Sequence, residues 1–466
     1  MATAVTALPL AAVLTVGSAA PLAPPLGACT GPDCPATWPP PHNGDFPGRD
    51  ASVNVFTGGN YTVNGRAAEA EGKIVTLGNL TVDKNGGGVY NMGVVGVGSR
   101  VVPPNGSDFV TTGGTVDAVA GNRILIGGSD SRGPAYGNLR HAGTVTGTVS
   151  IDPPGQSIED PNAAAPYQSV LTQIEEVSDC VGRAAATGTV AVTASEATFT
   201  GDGTSMKQVF NVTQNLASPT GGQIGLVFTG IPAGATVVVN MLGDSPVINT
   251  YTGTGLAGDQ TTEMRSKLIY NFPTASSAQI TGSAQFQGSV LAGNPGGTMT
   301  ISQPGLNGRV YLAGNLVHTG TGGYEIHSYP FDGDLPDCAV TPSPSPTSPT
   351  PSPSPTSPSP TSPSPTSPTP TSPGPTSPTP TSPAPTSPTP TSPAPTSPSA
   401  TATTSSAGPA PTSHHPTKEP SGHHPGGELP STGAGNATTV FGLAGIGLLG
   451  LGGLAVLAAR RRGRHG

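Results

Sequence analysis

The sequence predicts a mainly β protein: a parallel β-solenoid (β-helix) with one flanking α-helix, followed by a disordered Pro/Ser/Thr stalk and a C-terminal transmembrane helix. Three observations support this prediction. Gly-Asn pairs recur about twenty residues apart, which suits a repeated structural unit. One apolar stripe has helical spacing, and most prolines lie in a single block. With 67 Gly and 55 Pro among 466 residues, the chain must combine segments of different character.

Residues 1–28 are predicted to form a signal peptide. Residues 7–20 are a mostly apolar run of the usual length, and this run ends in small residues. A basic stretch normally precedes such a run and is missing here, so either the true start lies upstream or the signal is atypical. The composition nevertheless favours export.

The four cysteines of the chain indicate two disulfides, because an exported protein with an even cysteine count tends to pair them. Three connectivities are open. We predict that Cys180, near the end of the helix, pairs with Cys338, near the end of the folded part, and that Cys29 pairs with Cys34. The second pair could also be half of a metal site. No partner pair stands at ligand spacing, so we expect no metal and no cofactor.

Residues 43–338 are predicted to form the solenoid. The segment that starts at Gly72 (GKIVTLGNL) and the one that starts at Gly308 (GRVYLAGNL) share the order Gly, basic, β-branched and then Gly-Asn-Leu. Further Gly-Asn pairs are Gly59-Asn60, Gly121-Asn122, Gly137-Asn138 and Gly293-Asn294. We expect short strands to alternate with turns of positive φ that Gly and Asn supply. A β-sandwich with Gly-Asn hairpins is the alternative, but hairpins do not explain the matching flanks.

One helix is predicted on the flank of the solenoid. Its apolar stripe consists of Tyr167, Val170, Leu171, Ile174 and Val177. Residues 160–162 carry start signals, and Gly182 stands where the helix should end. The apolar face should pack against the solenoid.

Residues 341–428 are predicted to be an extended stalk. The tract is nearly pure Pro, Ser and Thr up to residue 409. Proline fixes φ and lacks the amide donor, so neither a core nor a strand ladder can form there. An extended polyproline II conformation is expected.

Residues 429–466 carry three features in a fixed order. Leu429-Pro430-Ser431-Thr432-Gly433 matches the Leu-Pro-x-Thr-Gly sorting signal of Gram-positive surface proteins. An apolar stretch over 438–459 is long enough to span a bilayer, and a basic tail follows it. The match implies that a sortase cleaves after Thr432 and that a peptidoglycan precursor receives the new carboxyl end. Contact with the membrane would then be transient.

The folded segment resembles the choice-of-anchor A family of bacterial surface proteins over residues 50–335. The motifs that carry the resemblance are Asn54-Val55-Phe56, Gly59-Asn60, Val63-Asn64-Gly65-Arg66, Gly72-Lys73-Ile74, Gly78-Asn79, the helix after Ala163, Asn307-Gly308-Arg309-Val310 and His327-Ser328-Tyr329-Pro330-Phe331. The resemblance implies an adhesive domain whose plan is similar to that of ice-binding proteins. It brings neither catalytic residues nor a ligand.

We therefore expect a secreted, cell-wall-anchored adhesin whose ligand is a glycan, a matrix protein or a neighbouring cell. A purely structural wall protein and an ice- or crystal-binding solenoid are alternatives. The net charge of −8 argues against a nucleic-acid partner. A carbohydrate-active β-helix enzyme is a further alternative, but we predict no enzyme. Catalysis would need carboxylates that converge on one groove, and the acids are scattered: Asp108, Asp117, Asp130 and Asp152. The histidines inside the domain, His141, His318 and His327, stand in no recognisable catalytic motif.

Overall fold

The computed structural model describes residues 22–337. The predicted stalk, the sorting signal and Cys338 lie outside the described residues. The described part is mainly β, with parallel sheets and two α-helices, α1 (Gln168–Gly182) and α2 (Gln260–Met264). Within residues 22–337 no helix is long and apolar enough to cross a membrane, and the predicted span 438–459 lies beyond them.

Thirteen strands precede α1 and form the first half of the domain. They are β1 (Val53–Thr57), β2 (Tyr61–Val63), β3 (Glu69–Glu71), β4 (Lys73–Thr76), β5 (Leu80–Val82), β6 (Gly88–Gly93), β7 (Asp108–Thr112), β8 (Val116–Ile126), β9 (Gly128–Asp130), β10 (Gly133–Ala135), β11 (Asn138–His141), β12 (Val145–Ile151) and β13 (Ser157–Glu159).

Fifteen strands follow α1 and form the second half. They are β14 (Thr189–Val192), β15 (Glu196–Thr200), β16 (Lys207–Val212), β17 (Gly225–Thr229), β18 (Thr236–Met241), β19 (Val247–Thr250), β20 (Leu268–Phe272), β21 (Ser277–Gly282), β22 (Gln285–Gln287), β23 (Ser289–Ala292), β24 (Thr298–Ser302), β25 (Gly305–Asn307), β26 (Val310–Leu312), β27 (Asn315–His318) and β28 (Glu325–His327).

Two large parallel sheets hold most of these strands. A ten-stranded sheet has the order β13-β11-β7-β4-β1-β26-β23-β20-β18-β16. A thirteen-stranded sheet has the order β19-β21-β24-β27-β2-β5-β8-β6-β3-β28-β25-β22, and β12 also pairs with β8. The long strand β8 pairs with β5 through its first residues and with β6 through its last ones, so it joins two parts of the second sheet.

The chain passes repeatedly through these sheets, and one such passage, for example β1–β2–β3, is called a coil below. The first and last coils are neighbours: β1 pairs with β26, β2 with β27 and β3 with β28. The first half therefore winds from the middle of the sheets to one end. The second half begins at the opposite end and winds back to the middle. The matching Gly72 and Gly308 segments lie in the two coils that flank the first coil.

The Gly-Asn pairs mark coil corners. The prediction that glycine serves turns of positive φ at these corners is wrong at most of the pairs. Gly59 and Gly78 have no positive φ. A side chain at Gly59 would instead lie 2.4 Å from Asn315 Oδ1, and one at Gly78 would lie 2.5 Å from Asn60 Oδ1. Glycine is needed there because neighbouring coils approach closely. Gly121 does have a positive φ, of 86°, and it lies at a different corner, within β8.

The predicted flanking helix is confirmed as α1, which follows a 3-10 turn at Ala165–Tyr167. Its buried residues are Val170, Ile174, Ser178 and Val181. They pack on the outer surface of the ten-stranded sheet, against residues such as Ile269 and Leu291. The inner surface of the same sheet faces the main apolar core. The short helix α2 was not predicted.

Residues 22–28 fall inside the predicted signal peptide, whereas the structure packs them on the domain. Leu22 and Leu26 are buried beside α1. The Gly27 carbonyl accepts a hydrogen bond from Arg309 Nε, and the Arg309 guanidinium also lies 2.5 Å from the Asp50 carboxylate. Both charged side chains are buried, so this ion pair ties the N-terminal segment to the last coil.

Candidate binding surface

A row of eight side chains points away from the core on the strands from β12 to β19. In spatial order they are Thr146, Asp117, Thr81, Thr62, Val317, Thr300, Gln279 and Val247. All eight are exposed or half-exposed. Their strand neighbours Tyr61 and Val63 are buried, as the two-residue period of a strand requires. We call this row and its flanks the polar face.

Asparagines fix the corner beside this row. Asn315 Oδ1 accepts from the amide of Asn60 at 2.8 Å, and Asn60 Oδ1 accepts from Asn79 at 2.9 Å. In the same way, Asn79 Oδ1 accepts from the amide of Thr115 at 2.9 Å. Each side chain thus supplies an acceptor to the next coil, and the ladder holds four coils in register. Sequence reasoning found these residues but not this role.

The chemistry of the row suits uncharged polar partners. Threonine occupies four of the eight positions, and each hydroxyl can both donate and accept. Asp117 is the single acid of the row, and it accepts from Thr146 Oγ1 at 2.7 Å. Strands about 4.8 Å apart repeat these groups regularly along the face. Many weak contacts could therefore form at once.

A second polar cluster lies where the first and last coils meet. Glu69 and Glu71 alternate along β3, and Glu325 and His327 alternate along β28, so all four project to the same side. Glu69 lies opposite Glu325 in the strand pair. His327 Nε2 lies 2.9 Å from the Glu325 carboxylate, and Nδ1 lies 2.7 Å from Asn307 Oδ1. Sequence reasoning missed this cluster, although the Glu-x-Glu and Glu-x-His spacings on strands are its signal.

The segment 96–100 closes over this cluster. The amide of Gly96 donates to Glu69 at 2.6 Å, and the amide of Arg100 donates to Glu71 at 2.6 Å. Glu69, Glu71 and His327 are buried, and Glu325 is the most accessible member. A glycosidase needs two carboxylates that flank an open site with room for the sugar. This cluster is closed and therefore suits a structural role.

Burial dominates the electrostatics of the cluster. It raises the pKa of Glu69 to about 7, and the neighbouring Glu325 adds to the effect, while hydrogen bonds from Gly96 and Asn91 oppose it. Burial likewise raises the pKa of Glu71. Burial, the largest single effect, lowers the pKa of His327, but the hydrogen bond to Glu325 and the negative charges of Glu325, Glu71 and Glu69 together leave the pKa raised.

The structure separates the four scattered aspartates. Asp108 pairs with Arg140 at 2.7 Å, and Asp130 pairs with Arg132 at 3.2 Å. Asp117 belongs to the polar face. Burial raises the pKa of Asp152, which is half-buried at a different corner.

The three histidines also lie apart. His318 is inside the core, where it contacts the Tyr90 hydroxyl at 2.7 Å and where burial lowers its pKa to about 3. His141 Nε2 lies 3.0 Å from Ser157 Oγ, a contact between neighbouring strands that sequence reasoning missed. Its Nδ1 faces the Gly143 carbonyl rather than a carboxylate. The Asn307 contact of His327 and the Ser157 contact of His141 show that histidine partners can come from adjacent strands.

The predicted pair Cys29–Cys34 is confirmed as a disulfide. Together with Asp50, these cysteines are the residues of the described part that lie close enough to hold a metal. Both sulfurs are engaged in the disulfide and so are not thiolate ligands. Cys180 is also disulfide-bonded, and its predicted partner Cys338 lies outside the described residues. The Cys180–Cys338 pairing stays a prediction, as does the set of sortase contacts at Leu429–Gly433.

The comparisons with known proteins give two family matches. Residues 52–328 match the family described as "Putative Ice-binding-like adhesive domain". Residues 424–463 match the LPXTG cell wall anchor motif. No curated protein matches the chain. A solved ice binding protein from an Antarctic Biological Consortium is 14% identical, with 64% of this chain and 96% of that chain covered and a TM-score of 0.28, which is too low to support an argument.

These matches agree with the residues that carried the sequence prediction. The anchor motif contains the predicted pentapeptide and most of the segment that follows it, and it implies sortase processing and attachment to peptidoglycan. The adhesive-domain match contains all the strands, from the start of β1 to the end of β28. The chain therefore belongs to the ice-binding-like adhesive domain family and is a secreted protein anchored to the cell wall of a Gram-positive envelope.

Proposed function

We propose that this protein is an adhesin whose parallel sheets form a β-solenoid that presents the polar face to an extracellular ligand. The observation that carries the proposal is the row that contains Thr62 and Thr81, whose side chains are exposed or half-exposed, regularly spaced and free of basic residues. Such a surface suits an uncharged polar partner, for example a glycan or a polar protein surface. Many copies on one wall would add their weak contacts together.

We also propose that the domain binds without catalysing. The support is the separation of the acids: Asp108, Asp117 and Asp130 serve different parts of the structure, and the Glu69 cluster is covered by segment 96–100. The His141 ring beside Ser157 is oriented by the Gly143 carbonyl and not by a carboxylate, which would stabilise a charged imidazolium more strongly.

The test compares cells that display the full chain with cells that display variants. Thr81→Tyr places a bulky ring in the middle of the polar face and should lower retention on immobilised polysaccharides or matrix proteins several-fold. Thr204→Tyr is the matched control, because Thr204 is exposed in a turn away from the row. Equal retention of the two variants would argue against the polar face.

Product release from the same materials is measured in parallel. We expect none from the wild type. Turnover that disappears when one carboxylate, such as that of Glu325, is replaced by its amide would favour the enzyme alternative over the adhesin.

Ice or crystal binding is the second candidate, and the four threonines of the row favour it. Asp117 and Gln279 interrupt the threonines, and Val317 and Val247 add apolar positions. Inhibition of ice recrystallisation by the full chain, lost in Thr81→Tyr but kept in Thr204→Tyr, would support this candidate. No inhibition by the wild type would reject it.

A further inference from the structure

A cleft of about 640 Å³ lies away from the polar face, between the N-terminal segment and the β9–β10 hairpin. One wall contains Asp33 and Cys34 of the disulfide loop, together with residues 46–49. The opposite wall contains Asn105, Arg132 and Tyr136. Neither sequence reasoning nor the proposed function uses this site. The size is in the range of small-molecule pockets.

Hydrogen bonds within one wall and between the two walls fix the shape of the cleft. The Arg49 amide donates to the Asp33 carbonyl at 2.8 Å, which fixes the disulfide loop against the domain. Arg49 Nη1 reaches across to Asn105 Oδ1 at 2.8 Å. At the base, the Phe46 amide donates to Asp130 Oδ2 at 2.7 Å. The cleft is therefore formed in advance, which lowers the entropy cost of binding.

The charges that line the cleft are balanced. Arg49 and Arg132 face Asp33 and Asp130, and three of these four groups already have partners within the walls. Asp130 is nearly buried and bonded to Arg132, whereas the Asp33 carboxylate is exposed. The two aspartates would repel an anionic ligand, and the two arginines would repel a cationic ligand. The balance favours a neutral ligand.

The remaining lining offers flat apolar surfaces beside polar groups. Tyr136 is half-exposed, and the rings of Pro47 and Pro134 are exposed. Rings of this kind pack against the C–H faces of a pyranose. Asp33 accepts hydrogen bonds, Arg132 donates them, and the Tyr136 hydroxyl can do both. A ligand that carries many hydroxyl groups and also has apolar C–H faces satisfies both kinds of surface.

We propose that this cleft binds a neutral oligosaccharide unit. The inference does not require the polar face to bind, because the two regions share no residue. The cleft would give the protein a small concave binding site in addition to the flat polar face. A site of this kind would select one sugar among many, whereas the flat face would contribute regular, unselective contacts.

The test applies the purified full chain to an array of neutral oligosaccharides and their uronic-acid counterparts. The expected result is retention on neutral members and a loss of about tenfold in affinity for Tyr136→Ala, because the ring contact disappears. Tyr136→Phe keeps the ring and should retain most of the binding. Tyr251→Ala is the matched control, since Tyr251 is 55% exposed and does not line the cleft.

A second variant tests whether the loss of binding has a cause other than misfolding of the Tyr136→Ala protein. Asp33→Ala removes one acceptor while the Asp33 carbonyl still holds Arg49, so binding should fall several-fold with unchanged thermal unfolding. Thr81→Tyr should leave array binding intact, which separates this site from the polar face. Absence of binding to every neutral oligosaccharide, preference for the uronic acids, or wild-type affinity in both Tyr136→Ala and Asp33→Ala would overturn the proposal.

Discussion

At the scale of single residues, buried polar groups are placed where coils meet rather than at an open catalytic site. Glu69 illustrates this, because its carboxylate accepts from Gly96 on the covering segment and from Asn91 on the next coil. The ionised form is disfavoured by burial and by the nearby Glu325. The domain therefore has a titratable contact at the junction of its first and last coils.

Glu69 should make a contribution to the stability of the domain that falls as the pH rises from about 4.5 to about 7, whereas His318, whose pKa burial lowers to about 3, contributes in the opposite direction. A carboxyl whose pKa is raised on folding stabilises the folded state below its unfolded pKa and loses that contribution as pH rises through the folded pKa. Glu69 is raised from 4.5 to about 7, which corresponds to about 3 kcal/mol. The raised pKa values of Glu71 and His327 act in the same direction.

Glu69→Gln should remove the falling contribution, so the stability of the variant relative to the wild type should increase as the pH rises, and the variant should be the more stable protein above pH 7. Among the described residues, Asn91 Oδ1 has no hydrogen-bond partner, so a turned Asn91 amide could accept from the new glutamine. Chemical unfolding of the full chain between pH 4 and pH 8 measures the effect. Glu176→Gln, on the exposed side of α1, is the control. Equal slopes for Glu69→Gln and the wild type would contradict the prediction.

At the scale of elements, close approach between coils explains the Gly-Asn pairs. At Gly59-Asn60 and Gly78-Asn79 the asparagine side chain bonds to the backbone of the next coil, and the glycine makes room for a neighbouring asparagine side chain. At Gly78 the nearest neighbours are Asn60 Oδ1 at 2.5 Å and the Gly59 carbonyl at 2.6 Å. The dipeptide is thus a packing device at these corners, whereas at Gly121 the glycine serves a turn of positive φ.

Gly78→Ala should destabilise the domain by about 1–3 kcal/mol, because overpacking forces the backbone of neighbouring coils apart. Gly322→Ala is the matched control, since its added methyl would meet only Tyr324, at 3.5 Å or more, and Gly322 has no positive φ. Thermal or denaturant unfolding measures both variants. If both lose the same stability, the close-approach explanation fails.

At the scale of the whole molecule, the end of the folded domain packs beside its beginning. The first coil pairs with the last, and the buried Arg309–Asp50 ion pair joins the N-terminal segment to the same junction. Breaking a buried pair of this kind is costly, since one charge is left without its partner. The folded domain is therefore closed on itself, and the sorting signal lies beyond it in sequence.

Thr432→Ala should move the protein from the wall fraction to the membrane or the medium. Sortase transfers the carboxyl of this threonine to a wall amine, so the reaction requires the matched pentapeptide. Fractionation after muramidase treatment measures the change, and deletion of the host sortase should reproduce it. Unchanged release of the variant by muramidase would refute the sorting mechanism.

The sequence by itself determined the features that depend on local chemistry. The apolar stripe of α1 can be recognised in the sequence because apolar residues recur with helical spacing over about fifteen consecutive residues. The repeat from Gly72 to Gly308 is visible because equivalent corners need equivalent residues. The anchor is visible because sortase reads a short linear motif, and Cys29 and Cys34 are close in sequence. These features require no knowledge of distant neighbours.

Only the tertiary structure decided which segments become neighbours. The pairing of β1 with β26 joins residues that the sequence separates by most of the domain, and no local pattern encodes it. The Glu69–His327 cluster, the row through Thr62 and Thr81, and the cleft beside Tyr136 all depend on that order of coils. A strand pattern specifies which side chains face outward, but the strands that lie beside it are selected by packing across the whole chain.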